Sequence, residues 1–237
     1  CQAYDPAFAY EIAAIVQEGL QRMYGGGSSG GPDDPDVFYY LTLYNENYSM
    51  PAMPDGVSPS DIVRGLYRWS PAPEGRQHRA TVLFSGSAQG AAREAAQILG
   101  DDYGVGVELW SATSYKALRE DALAAERWNR LHPSHQARVP VVSQLLGSGE
   151  GPVVAVSDFM KMVPEQIARF IGHRHFVPLG TDGMGRSDTR AALRRHFEVD
   201  TAHVVVGVLS ALAATGAVGH DLVQSAIERF QLSPDLP

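Results

Sequence analysis

Cysteine is almost absent from these 237 residues. Cys1 stands alone, so no internal disulfide can form, and the usage fits a reducing compartment. Basic clusters are missing as well. The net charge is -8, and beyond pairs such as Arg194-Arg195 no run of Lys or Arg offers an electrostatic footprint for nucleic acid. Long apolar runs are also lacking: the longest uncharged stretch, Val204 to Gly219, is rich in Ala, Gly, Ser and Thr and falls short of the roughly 20 apolar residues of a membrane crossing. The opening residues have neither the basic nor the apolar region of a secretory signal. These absences predict a globular, cytoplasmic chain without nucleic-acid or membrane partners. Because it starts at Cys rather than Met, the chain is expected to be a cut or partial form of something larger.

What is present is a hydrophobic share of 44%, enough for one sizeable core or two modest ones. Residues 1–24 read as a helix, with Asp5 as its cap, Pro6 in the first turn, and Phe8, Ile12, Ile15, Val16, Leu20 and Met23 at helical spacing. Gly25 to Asp36 reads as a mobile polar loop. Val37 to Tyr44 is an almost unbroken apolar and aromatic run, the pattern of a parallel strand covered on both faces. It follows a helix that has no starting strand of its own, so the strand reads as an orphan of a larger sheet. Pro51 and Pro54 then mark a stiff linker. Further on, strands expected at Ala80 to Ser85, Val107 to Trp110, Val153 to Val156 and His175 to Leu179 alternate with helices at 88–99, Ser114 to Leu131, Lys161 to Ile171, Thr189 to Phe197, 201–214 and 220–230. Asp61 to Tyr67 reads as a short helix or edge strand. The alternation predicts an α/β fold with helices on both sheet faces.

In open α/β sheets ligands sit outside the carboxyl ends of the strands. That rule makes Asn45, Glu46 and Asn47, at the end of the aromatic strand, the first candidates for a substrate channel; the plainer reading is that they fix the angle between domains. The loop Gly180 to Asp188 has three glycines and a set of polar residues. Thr181, Asp182, Arg186, Ser187 and Asp188 are expected to form a rigid structural or interface loop, with Asp182, Arg186 and Asp188 in an internal ion-pair net. A free-standing α/β module binding a small ligand at this loop is the alternative. Ser85-Gly86-Ser87 lacks the spacing of a dinucleotide fingerprint and reads as a structural turn. His173 and His175 lack a third ligand nearby and carry little metal signal, while His132 and His196 read as packing or helix-end residues. Cys1, four residues ahead of the expected helix cap, is a poor nucleophile candidate.

The run YYLTLYNENYSMPAMPDG, preceded by CQAYDPAFAYE and EGLQRMYG and followed in order by LFSGS, ERWNRLHP, RVPVVSQ, SDFMK, LGTDGMGRSDTR and RRHFEVD, resembles the homodimeric type of pyruvate dehydrogenase decarboxylating component. That family is a thiamine diphosphate-dependent branch of the transketolase superfamily. The resemblance spans nearly the whole chain, yet such enzymes are several times longer. It implies the end of a middle thiamine-diphosphate-type α/β domain at 1–49, a linker at 50–60, and a transketolase C-terminal-like domain with a mixed, mostly parallel sheet at 61–237. It further implies thiamine diphosphate and Mg2+ in the full-length enzyme, decarboxylation of pyruvate, and reductive acetylation of a lipoyl group. The implied partners are the upstream portion of the same enzyme, a second copy in a homodimer, and a lipoyl-bearing acetyltransferase component. No GDG-to-Asn segment for the magnesium and diphosphate occurs here, so no catalytic, cofactor or metal residue is assigned and the isolated chain is expected to be inactive. Ser49 departs from the His often found at that place.

Overall fold

Alternation of two apolar faces along the middle strands sets the architecture. In a computed structural model describing residues 1–25 and 37–235, β4 (His78–Phe84), β5 (Val105–Ser111) and β6 (Val153–Val156) lie side by side and parallel. Val82, Phe84, Val154 and Val156 point into one apolar cluster and Leu83, Val153 and Ala155 into another, as a two-residue period between two covered faces requires. The first cluster is closed by α3 (Gln89–Tyr103), α8 (Thr201–Ala214) and α9 (His220–Arg229), the second by α4 (Tyr115–Leu131) and α5 (Val141–Leu146). Edge strands complete a five-stranded sheet in the order β3-β5-β4-β6-β7, with β7 (Phe176–Leu179) parallel and β3 (Tyr67–Ser70) antiparallel. This is the mixed, mostly parallel sheet expected from the sequence.

Local signals explain the helix ends. Ser114, Thr189 and Asp200 accept the N–H groups of Ala117 (3.0 Å), Ala192 (3.3 Å) and His203 (3.0 Å), capping α4, α7 (Arg190–His196) and α8. Gly104, at φ 66°, ends α3 in the left-handed conformation that glycine adopts at little cost. α5, not expected from the sequence, is bracketed by Pro140 and Gly147 and buries Val142 and Leu146, one helical turn apart. The helix expected over Lys161 to Ile171 is instead α6 (Met162–Glu165) and a 3₁₀ turn at Ala168–Phe170, because the intervening N–H groups bond three residues back, Gln166 to Val163 and Ile167 to Pro164.

The opening segment departs most from expectation. Gln2–Tyr4 is a strand, β1, and pairs in parallel with β2 (Tyr39–Leu41); α1 (Ala9–Tyr24) connects them. The aromatic strand therefore has a partner within the chain, and the helix begins at Ala9, not at Asp5. Glu11, not Asp5, serves the helix start, its carboxylate accepting the N–H groups of Ala7 and Phe8. β2 is also shorter than the eight-residue run, and one face is bare: Phe38 and Tyr40 are 63% and 58% exposed, while Tyr39 and Leu41 pack with Tyr4, Ile15 and Ile62. Only β1 lies beside it among the described residues, so the covering expected on both faces is present on one. The loop expected at Gly25 to Asp36 lies outside the described residues apart from Gly25, which ends α1.

Among the described residues, one helical run, Arg190–Ala214, has the length and apolarity of a membrane span. Glu198, at φ 58°, breaks it into α7 and α8, and Val204, Val205, Val208 and Leu209 of α8 are wholly buried against the sheet. A core helix accounts for its apolarity.

Candidate functional site

Three parallel strands end in polar residues at one edge of the sheet. β4 runs into Ser85-Gly86-Ser87, β6 into Ser157-Asp158 and β7 into Gly180-Thr181. The Ser87 hydroxyl donates to the Asp158 carboxylate, and the Thr181 hydroxyl donates to the Asp158 carbonyl (2.6 Å), which ties the three ends together. Above them opens a cleft of about 510 Å³, walled by Tyr44, Asn45 and Glu46 on one side and by Arg186, Arg190, Leu193, Arg194 and Phe197 on the other.

The residues proposed from the NEN cluster divide. Glu46 meets Arg194 in a two-pronged ion pair, Nη1 to Oε1 at 3.1 Å and Nη2 to Oε2 at 2.5 Å, with both side chains about a quarter exposed. The Arg194 guanidinium holds the Glu46 carboxyl below the usual carboxylate range. The Asn45 carbonyl accepts from Arg190. Asn47 is exposed and is not among the residues that line the cleft.

Of the loop residues, Thr181 and Arg186 line this same cleft, so two stretches more than 130 positions apart in sequence share one site. Asp182, Arg186 and Asp188 do not form the expected ion-pair net. Asp182 accepts the Lys161 N–H (2.9 Å), Asp188 accepts the N–H of Thr189 (2.8 Å), and Arg186 reaches the His196 ring (3.3 Å). Each short polar side chain satisfies a nearby backbone N–H, a local bond that outcompetes a solvated ion pair. Ser187 is exposed.

Sequence reasoning missed the groups beneath the cleft. Asp5 is buried and accepts from the hydroxyls of Thr42 and Tyr44 (2.5 Å for the latter), and burial pushes its carboxyl up. Tyr44 packs over the Ser85–Ser87 turn, where Gly86 sits at φ 49° and a Cβ would collide with the phenol ring. The turn is thus filled by a side chain of the opening segment. Glu11 is fully buried and accepts from Tyr67 (2.6 Å), Ser111 (2.6 Å), Phe8 N (3.0 Å) and Ala7 N; burial raises its pKa. Asp158 and the arginines were legible in part. Asp158 follows an apolar strand as Glu46 does, and Arg190 and Arg194 are four apart, on one face of a helix.

The remaining candidates lie outside the cleft. His132 stacks on Trp128 (3.6 Å between ring centres) at the end of α4. His173 and His175 are exposed and flank Arg174, which donates to Thr81 (2.6 Å), Glu150 O (2.8 Å) and Gly151 O (2.8 Å) and so ties the loop ahead of β6 to the central strand β4. Cys1 and Ser49 are exposed.

Comparison with known proteins agrees with the fold. Residues 65–200 match the transketolase-like C-terminal domain, and residues 1–51 match the middle domain of the pyruvate dehydrogenase E1 component. Among curated proteins, pyruvate dehydrogenase E1 components of Escherichia coli K12, Mycolicibacterium smegmatis and Haemophilus influenzae are 44%, 45% and 46% identical over 99%, 97% and 99% of this chain. The chain spans about a quarter of their length, 25%, 24% and 26%. Among solved structures, transketolases from Leishmania mexicana and Campylobacter jejuni share the fold, each with a TM-score of 0.58 at 18% and 17% identity, over 90% and 88% of this chain and 25% and 26% of theirs. The chain belongs to the family of transketolase-like C-terminal domains, joined here to the end of a pyruvate dehydrogenase E1 middle domain.

Proposed function

We propose that this chain is the carboxyl-terminal portion of a cytoplasmic enzyme that decarboxylates pyruvate on thiamine diphosphate and Mg2+ and reductively acetylates a lipoyl group on an acetyltransferase component. The observation that carries the proposal is identity of 43–46% to several pyruvate dehydrogenase E1 components along almost the whole chain. Within that enzyme, residues 1–49 close the middle domain, 50–60 form the linker, and 61–237 form the C-terminal domain. Asn45, Glu46 and Asn47 line the approach to the active site, and the 181–188 loop belongs to an interface with a second copy or with the upstream part.

The chemistry would be supplied by thiamine diphosphate held upstream, and this chain's residues do not fit that group. The sequence has no GDG-to-Asn segment, and among the described residues no three His, Cys, Asp or Glu side chains are grouped to hold a metal. What the chain's own residues do is positional. Arg194 fixes Glu46, Arg190 fixes the Asn45 carbonyl, and Asp5 anchors Tyr44, so the polar edge is held in one arrangement before any substrate arrives.

The test is acetyl transfer by the full-length protein. With pyruvate, thiamine diphosphate and magnesium, a lipoyl domain should gain an acetyl group, read by intact mass. Transfer from a different 2-oxo acid with none from pyruvate would contradict the proposal.

A further inference from the structure

The charges of the cleft are not balanced. Arg194 is neutralised by Glu46, but Arg186 and Arg190 make no ion pair among the described residues; their contacts are to the His196 ring and the Asn45 carbonyl. The other carboxylate of the cleft, Asp158, accepts from the neutral Ser87 hydroxyl, so the lining holds three guanidiniums against two carboxylates. On a chain of net charge -8, a concave site lined by more guanidiniums than carboxylates is a local inversion of the surface field. Their planar forks match carboxylate and phosphate oxygens better than they match water or chloride. Leu193 and Phe197 supply an apolar wall beside them. The position, outside the carboxyl ends of parallel strands, is where α/β sheets take ligands.

We propose that this cleft binds a small organic oxyanion, a carboxylate or phosphate monoester, with its charged head on Arg186 and Arg190 and its apolar body against Leu193 and Phe197. The inference stands on this chain's own side chains and is independent of whether the parent enzyme acts on pyruvate.

The test is calorimetric titration of the full chain with isobutyrate and, separately, with phenyl phosphate. At least one probe should bind saturably, with a Kd on the order of 1 mM, and more weakly as salt is raised. Arg186→Gln and Arg190→Gln should each weaken binding about 5- to 10-fold, as loss of one charge-assisted contact implies. Arg169→Gln, which loses a surface pair with Glu126 and a contact over the Phe170 ring, both outside the cleft, should bind as the parent does. Whichever probe binds in this arginine-dependent way names the head group. No saturable binding of either probe, or equal binding by both cleft variants with unchanged circular dichroism, would overturn the proposal. Arg186→Gln gives up only a contact to His196, so it keeps the test readable should Arg190→Gln fold poorly.

Discussion

Four donors converge on the carboxylate of Glu11, which joins α1 to β3 and β5 at a point without solvent. Glu11→Ala should cost about 3–5 kcal/mol in denaturant unfolding, because two hydroxyls and two N–H groups lose their acceptor together. The pH dependence has a definite sign. Burial raises the folded pKa of Glu11 above its ordinary 4.5, so the folded state holds this proton to higher pH than the unfolded chain does. Its contribution is fully present below that ordinary value and is lost as pH rises through the folded one. Stability of the parent relative to Glu11→Gln should therefore decline on going up from about pH 4.5, and a parallel pair of curves would refute the assignment. At Gly86, the left-handed backbone and the Tyr44 ring exclude any side chain. Gly86→Ala should cost about 2–4 kcal/mol, and adding Tyr44→Ala should relieve the collision while leaving the backbone strain.

At the scale of elements, α7 is the piece that closes the cleft, since Arg190 and Arg194 project one turn apart onto the Asn45-Glu46 edge. Arg194→Gln should cost about 1–3 kcal/mol and speed amide exchange at Asn45 to Asn47. The pair holds the pKa of Glu46 down, so its contribution is present above the ordinary carboxylate range and lost as pH falls through the lowered value; the variant should lack that loss. Elements buried on two faces were the legible ones. β4, β5 and β6 read as strands because helices cover both sides, leaving mostly apolar runs in which Thr81 and Glu108 are the mid-strand polar residues. β2, whose run is equally apolar, is covered on one face among the described residues, in a chain that spans about a quarter of its relatives' length, 25% for the first. β1 is only three residues long and carries no periodicity to read. The cleft was legible as two separate polar stretches; their meeting depends on the crossover order of the sheet, which no local pattern encodes. Glu11 was hidden on the opposite ground, an acidic residue in a first helical turn being the ordinary mark of a solvated helix start.

Taken whole, the molecule joins segments that match two different domain families. Ala7 and Phe8, from the middle-domain segment, lie in the same apolar cluster as β4 and α8, and Phe8 packs against Trp69 and Phe84 at about 6 Å. Deleting the first eight residues should therefore destabilise the rest of the chain; removing one buried aromatic side chain alone costs about 3–5 kcal/mol, measurable as a lowered Tm. The polar edge that results has positioning arginines and an anchored glutamate, with no metal cluster among the described residues. On the proposed function, this chain shapes an active site whose cofactor chemistry lies elsewhere in the enzyme. Dye reduction driven by pyruvate, with thiamine diphosphate and magnesium present, tests it most directly when run on the 237-residue chain and on the full-length protein side by side. The full-length protein should turn over and the chain alone should not; pyruvate-dependent reduction by the isolated chain would overturn the proposed function.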